Sequence, residues 1–432
     1  MEKLKYGYDE QQYKKFNAHA WRYLLLFSLL YCAHYCTRLN LGNAQVAMTE
    51  FSSEQIGIIT STLFWSYAFG HLVNGRLGEI VGHRKFVILS VVLSVAANVV
   101  MGFQSAIWVM AIVWGFNGFF QSMAWSPGSS SLNFWWPSEK RGFAVGFANA
   151  FSGFGQVVAT LMVALSFAVL PNLGWRAAFF VPCILPVVMV LVYAIFAKAN
   201  PKDVGLPEYK EEDEEKAQQE AEMAKLVKEK GVLYPYLYLL KKPVFLLAML
   251  VVFGAGVARY GLVTWIPKYL NEVAKLGPVV SLLTSTILPI GMGIGTLVVP
   301  TLTDKFCPNN RLLAGIVSGI GAALCVLGFM LLKPVGIQFY VMMALLFLAG
   351  FFIYAISGVV WAFSADIGGR VFASTSSGIL DFAAYMGAAI QAYVYGFILL
   401  NGSWNVVFAS VAAICLAIAL ISYISSRSKK KA

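Results

Sequence analysis

Residues 22–46 read RYLLLFSLLYCAHYCTRLNLGNAQV, an apolar and aromatic run long enough to cross a bilayer that nonetheless carries an arginine, Arg38. A hydrocarbon core about 30 Å thick asks for roughly 20 such residues in a helix. Outward from this stretch, comparable runs fall near 54–79, 86–104, 106–130, 142–170 and 174–197. After a charged break they resume near 243–267, 278–303, 311–332, 336–364, 371–400 and 403–425, giving twelve spans in two sets of six. The runs are too long, and too little alternating, for the strands of a membrane barrel. Gly291, Gly293 and Gly295 recur inside one run, as suits close packing of membrane helices. The expected fold class is therefore an all-α integral membrane protein of two pseudo-symmetric six-helix bundles. The expected domains are an N-terminal bundle over 1–197, a charged linker over 198–242 and a C-terminal bundle over 243–432.

Composition agrees with that reading. Of 432 residues, 59% are hydrophobic and 12% charged, against about 25% charged in a soluble domain. Ten of the 21 acidic residues lie between Asp203 and Glu229. A soluble enzyme or a nucleic-acid binder is excluded despite the net charge of +11; the charge belongs to loops beside a lipid bilayer. One side collects Lys3, Lys5, Lys14, Lys15, Arg84, Lys85, Lys140, Arg141, Lys305, Arg311, Arg370, Arg427 and the lysines at 429–431, while the opposite loops offer Arg176, Lys268, Lys275 and Lys333. Both termini and the linker are thus expected in the cytoplasm, with the chain a monomer in the cell inner membrane. The linker, with its acidic run Glu211–Glu215, reads as a solvated connector or a binding tail. The closing lysines read as cytoplasmic flanking charge or as a retrieval signal.

The six cysteines are scattered, and although Cys32 and Cys36 lie one turn apart, no further ligands accompany them. The four histidines have no metal-binding spacing either. Neither a metal nor a cofactor is expected, and no nucleophile–base pair or phosphate-cradling loop points to an enzyme.

A charged side chain in mid-membrane costs at least about 2.5–3.5 kcal/mol, so each one asks for a reason. Arg38 and Arg259 stand at matching depths, sixteen residues into the first and the seventh run. Parallel repeats flanking one site would bring them together. Guanidinium stays protonated and offers a planar fork of donors suited to phosphate or carboxylate oxygens. The structural alternative is that each pairs with an internal carboxylate or reaches an interface. Few carboxylates exist for that: Asp381 in the eleventh run, Asp366 near the end of the tenth, and Glu79 at the end of the second. Asp381 is open to three readings, namely ion-pair partner of Arg259, proton carrier, or local helix contact. Asp366, just before Gly368, Gly369 and Arg370, reads as part of a loop or cap.

Tyr31 and Tyr35 precede Arg38 at helical spacing, and Tyr67 and His71 form an i, i+4 pair on the second run. Tyrosine hydroxyls donate to anionic oxygens without adding charge, and histidine titrates near neutrality. Packing is an equal account of any single tyrosine; His71 reads as either a substrate or coupling residue or a satisfied core ring.

The run Gly75-Arg76-Leu77-Gly78-Glu79, followed by Gly82-His83-Arg84-Lys85, resembles the loop signature of the major facilitator superfamily, with Glu79 in place of the usual aspartate. Pro300-Thr301-Leu302-Thr303-Asp304-Lys305 resembles its weaker counterpart in the second half. The resemblance implies a gating role for Glu79, Arg84 and Asp304. YCAHYCTRLN over 31–40, NGFFQSMAWSP over 117–127 and RYGLVTWIPKYL over 259–270 resemble the organophosphate:phosphate antiporter family, which includes bacterial glycerol-3-phosphate and hexose-6-phosphate transporters. Trp135-Trp136 with Glu139, Arg141 and Gly142 continues the likeness. What this implies is exchange of a small organophosphate for inorganic phosphate by alternating access. Arg38 and Arg259 would hold the phosphate, with Tyr31, Tyr35, Tyr67, Tyr354 and Tyr385 lining the cavity. The chain departs from the glycerol-3-phosphate branch in having His71 for a lysine and Ser152 for a histidine. Both changes weaken positive charge and point to a different phosphorylated, or a carboxylated, substrate. The alternatives are a proton-coupled organic-anion symporter using Asp381 or His71, and a transporter-like sugar-phosphate sensor.

Overall fold

The first helix is set by a capping box: the Asp9 carboxylate accepts from the Gln12 amide and the Gln12 side chain returns to the Asp9 amide. Helix α1 (Glu10–His34) follows, then a 3₁₀ turn over Tyr35–Thr37 and the short α2 (Asn40–Ala44). A second capping box, Ser52 with Gln55, starts α3 (Ser53–Val81). Then come α4 (His83–Gly102), α5 (Ile107–Trp135), α6 (Ser138–Val169), α7 (Ala177–Phe180) and α8 (Ile184–Phe196). Within the last part of the 198–242 linker lies α9 (Tyr234–Leu240), and past it come α10 (Pro243–Glu272), α11 (Pro278–Ser285), α12 (Ile287–Phe306), α13 (Leu312–Leu331), α14 (Gly336–Leu400) and α15 (Trp404–Ser428). This computed structural model describes residues 6–209, 225–226, 229–231, 233–306 and 312–428, without the side chains of 75, 76, 79, 138, 139, 141, 142, 297, 300, 301, 303–306, 312, 357–374 and 377.

Among the described residues, eleven segments are long and apolar enough to cross a membrane. The first run is not among them, because Asn17, His19 and Arg22 dilute its near end and the backbone breaks after His34. Its 25-residue helix is nonetheless long enough to span, and packs against α6 and α8. The sequence reading erred on detail here, since an unbroken run over 22–46 is in fact a helix, a tight turn and a second short helix. Residues 174–197 are likewise interrupted, with Gly174 at φ 54° and a 3₁₀ turn at Val181–Cys183.

The tenth and eleventh runs form one helical stretch, α14, of 65 residues. The backbone stays helical where Asp366–Arg370 were expected as a loop; their side chains lie outside the description. Tyr354 and Tyr385 both reach the same chamber, whereas 31 residues of straight helix would hold them about 46 Å apart. The stretch therefore cannot run straight between them, and its two arms, Gly336–Ile356 and Gly378–Leu400, count as two spans.

Helices before and after the linker interlock: α3 packs on α14, and α6 on α11 and α12. At Gly291 and Gly295 an added Cβ would strike the Phe347 and Phe351 carbonyls, so glycine permits α12 to lie directly on α14. Gly293 serves differently, meeting Gly153 across the α6–α12 contact. The linker's first residues fold back on the N-terminal helices, with Tyr209 Oη donating to Asn133 O at 2.8 Å and Lys15 Nζ to Val204 O at 2.7 Å. The acidic run 211–215 lies outside the described residues.

Candidate functional site

Arg38 sits where α1 gives way to α2, at φ −119° and ψ −47°, and is 3% exposed. Its guanidinium carbon lies 4.0 Å from the Tyr35 ring centroid and 5.1 Å from that of Tyr67. Tyr35, one 3₁₀ turn earlier, comes directly beneath the charge, as the i, i+3 spacing expects. Tyr31 packs edge-on against Tyr35 at 5.5 Å and against Trp125 at 4.9 Å.

Arg259 reaches the same region from an unbroken helix, α10, with its guanidinium 4.2 Å from the Tyr354 centroid and 4.8 Å from that of Tyr260. Tyr35, Tyr260 and Tyr385 lie within electrostatic range of both arginines. Rings close the gap, with Tyr67 to Tyr385 at 4.3 Å and Phe64 to Tyr260 at 4.7 Å. Nε and one terminal nitrogen of each guanidinium are buried without a hydrogen-bond partner in the chain. Aromatic faces offset part of the cost of a buried cation but leave its in-plane donors free. A small cavity adjoins Arg38, lined by Asn43, Thr60, Phe64, Trp114 and Thr264 among others. The cavity does not extend to Arg259; it is the shared tyrosine cluster that the two arginines approach from opposite halves with free donors, an arrangement able to hold an oxyanion from two sides.

His71 is buried and stacked on Tyr385 at 5.6 Å, with Tyr67 edge-on at 4.6 Å, and neither ring nitrogen has a partner. It is thus brought to the tyrosine wall rather than satisfied in the core. Asp381, one turn before Tyr385, lies within electrostatic range of Arg259 and Arg38, yet forms no ion pair with either. Ser152 bonds Tyr354 Oη at 3.1 Å, joining α6 to α14. Of the residues expected to gate, Arg84 donates to the Ala194 carbonyl, while the side chains of Glu79 and Asp304 lie outside the description. Among the described residues no cluster of three or more His, Cys, Asp or Glu could hold a metal.

Sequence reasoning missed Tyr260, Phe64 and Trp125. Tyr260 directly follows Arg259, and its Oη faces that of Tyr385 at 3.5 Å. A signal existed, because both arginines have an aromatic neighbour within three residues. Lys268 was read as a loop charge, but α10 carries it inward, where Nζ donates to Ser53 Oγ at 2.7 Å and faces Glu272 at 3.7 Å. Around it, Asn271 Nδ2 donates to Val46 O at 3.1 Å, Ser61 Oγ to Ala389 O at 2.8 Å, and Gln45 Nε2 to Thr264 O. These bonds seal the two halves together at the end that carries residues 45–53.

Fold and geometry define a polytopic helical membrane protein with a cationic, tyrosine-walled chamber between its N-terminal and C-terminal helices. The chain belongs to the Major Facilitator Superfamily, whose sequence profile matches residues 26–390. It is similar to the "Probable hexose phosphate transport protein" of Chlamydia pneumoniae, 27% identical over 431 residues covering 96% of this chain and 93% of that one. It is also similar to the "Glycerol-3-phosphate transporter" of Bacillus subtilis (strain 168), 26% identical over 396 residues, 89% of this chain and 87% of that one. Their names are consistent with the organophosphate:phosphate antiporter family that the motifs resemble. Among solved structures, a D-xylose-proton symporter superposes with a TM-score of 0.70 at 16% identity, over 94% of this chain and 97% of that one, which supports the fold.

Proposed function

We propose that this chain exchanges a small organophosphate for inorganic phosphate across a bacterial inner membrane by alternating access. The observation that carries the proposal is the pair of buried guanidiniums, one from each half, with unpartnered donors aimed among shared tyrosines. Two fixed positive charges in a low-dielectric chamber repel each other. A phosphate dianion bridging Arg38 and Arg259 relieves the repulsion and draws the halves together, while an empty site does not. Exchange then follows from charge balance, because only a loaded site reorients readily. The names of the relatives support a phosphorylated substrate. The cytoplasmic placement of both termini, the 1–197 and 243–432 bundles as rocking units, and the gating roles of Glu79, Arg84 and Asp304 belong to this proposal.

The test is uptake of radiolabelled phosphate into proteoliposomes preloaded with phosphate, with phosphorylated and carboxylated metabolites as competitors. Uptake that requires internal phosphate and is inhibited by an organophosphate supports exchange; uptake indifferent to internal phosphate rejects it. A second reading, proton-coupled symport of an organic anion, rests on the Asp381 carboxylate, which has no ion-pair partner with either arginine. Uptake driven by a pH gradient into vesicles free of phosphate would favour it.

A further inference from the structure

Arg259 rides on regular helix, whereas Arg38 follows a backbone break in the membrane interior, where a loose carbonyl is costly. The carbonyl before Arg38, that of Thr37, accepts from Asn98 Nδ2 of α4 at 2.9 Å and from Asn117 Nδ2 of α5 at 2.8 Å. Gln121, one turn beyond Asn117, donates to Thr37 Oγ1 at 2.8 Å. Asn98 is itself held, accepting from Asn40 Nδ2 at 2.7 Å on the far side of the break. Asn40, Asn98 and Asn117 are fully buried and uncharged.

We infer that Asn98 and Asn117 are positioning residues for Arg38, clamping the Thr37 carbonyl so that the guanidinium is aimed at the phosphate. The inference rests on the phosphate reading of the site. Two donors from different helices occupy both lone pairs of one oxygen and so fix the plane of the Thr37–Arg38 peptide. That plane sets the direction in which the Arg38 side chain leaves the backbone. A bidentate fork tolerates little misalignment, so a tilt of this plane weakens anion binding without removing any group that touches the anion. Neither asparagine lines the cavity beside Arg38.

The experiment measures inorganic phosphate binding and phosphate exchange for Asn98→Ala and Asn117→Ala, alone and combined with Arg38→Ala. Each single asparagine variant should raise the half-saturating phosphate concentration roughly tenfold, as loss of one such hydrogen bond would, and change the maximal exchange rate by less than about twofold. In the Arg38→Ala background neither should weaken binding further, the non-additivity expected of groups acting through one residue. Should an alanine variant fail to fold, Asn117→Ser, which keeps a donor, should give an intermediate rise. Asparagine variants that leave phosphate affinity unchanged, or weaken it by the same factor with and without Arg38, overturn the inference alone. A wild-type protein that binds no phosphate overturns the phosphate reading and this inference with it.

Discussion

The hydroxyls of Tyr260 and Tyr385 stand 3.5 Å apart, one on the helix that carries Arg259 and the other stacked on His71 of the N-terminal half. Both lie in range of Arg38 and of Arg259, so they occupy the seam where an anion bridging the arginines would rest. Tyr260→Phe and Tyr385→Phe keep the rings and remove one donor each. Each should raise the half-saturating phosphate concentration about ten- to a hundredfold, the worth of a hydrogen bond to a charged group, with the maximal rate little changed. Concentration dependence of exchange in proteoliposomes checks this.

Closure at the end bearing residues 45–53 brings Gly57 of α3 against Gly396 of α14. A Cβ at residue 57 would stand 2.5 Å from the Ala392 carbonyl and 3.2 Å from the Gly396 Cα. Gly57→Ala should therefore cost this closed state about 1–3 kcal/mol and shift the population toward the state open at that end. Thiol labelling of a cysteine placed at Thr264 should then quicken, and exchange should slow.

Asp381 separates the two transport readings. Under exchange, Asp381→Asn retains phosphate-for-phosphate turnover and needs no pH gradient. Under proton coupling, it should abolish gradient-driven accumulation by at least tenfold while sparing binding. Measuring uptake with and without an imposed gradient, in vesicles with and without internal phosphate, distinguishes them.

Much of this fold was legible in the chain because hydropathy speaks over 20-residue stretches and the two arginines stand out against it. Their convergence was also legible, from equal depth in the two sets of runs. The break at Tyr35–Thr37 was not, since its cause lies in donors on α4 and α5, some 60 and 80 residues away. Lys268 was misplaced for a similar reason: hydropathy treats it as a span boundary, while α10 simply continues and Ser53 of the other half receives its ammonium. Tyr260 was overlooked because tyrosines abound, and only the fold shows which of the 20 face the arginines.

The most direct measurement is phosphate exchange in preloaded proteoliposomes by Arg38→Lys and Arg259→Lys. A lysine keeps the positive charge but replaces the planar fork with a point charge. If the two guanidiniums jointly hold the anion, each variant should lose at least about 90% of exchange, and phosphate should protect it against thermal unfolding only at concentrations at least about tenfold higher. Near-normal exchange by both lysine variants would contradict the account.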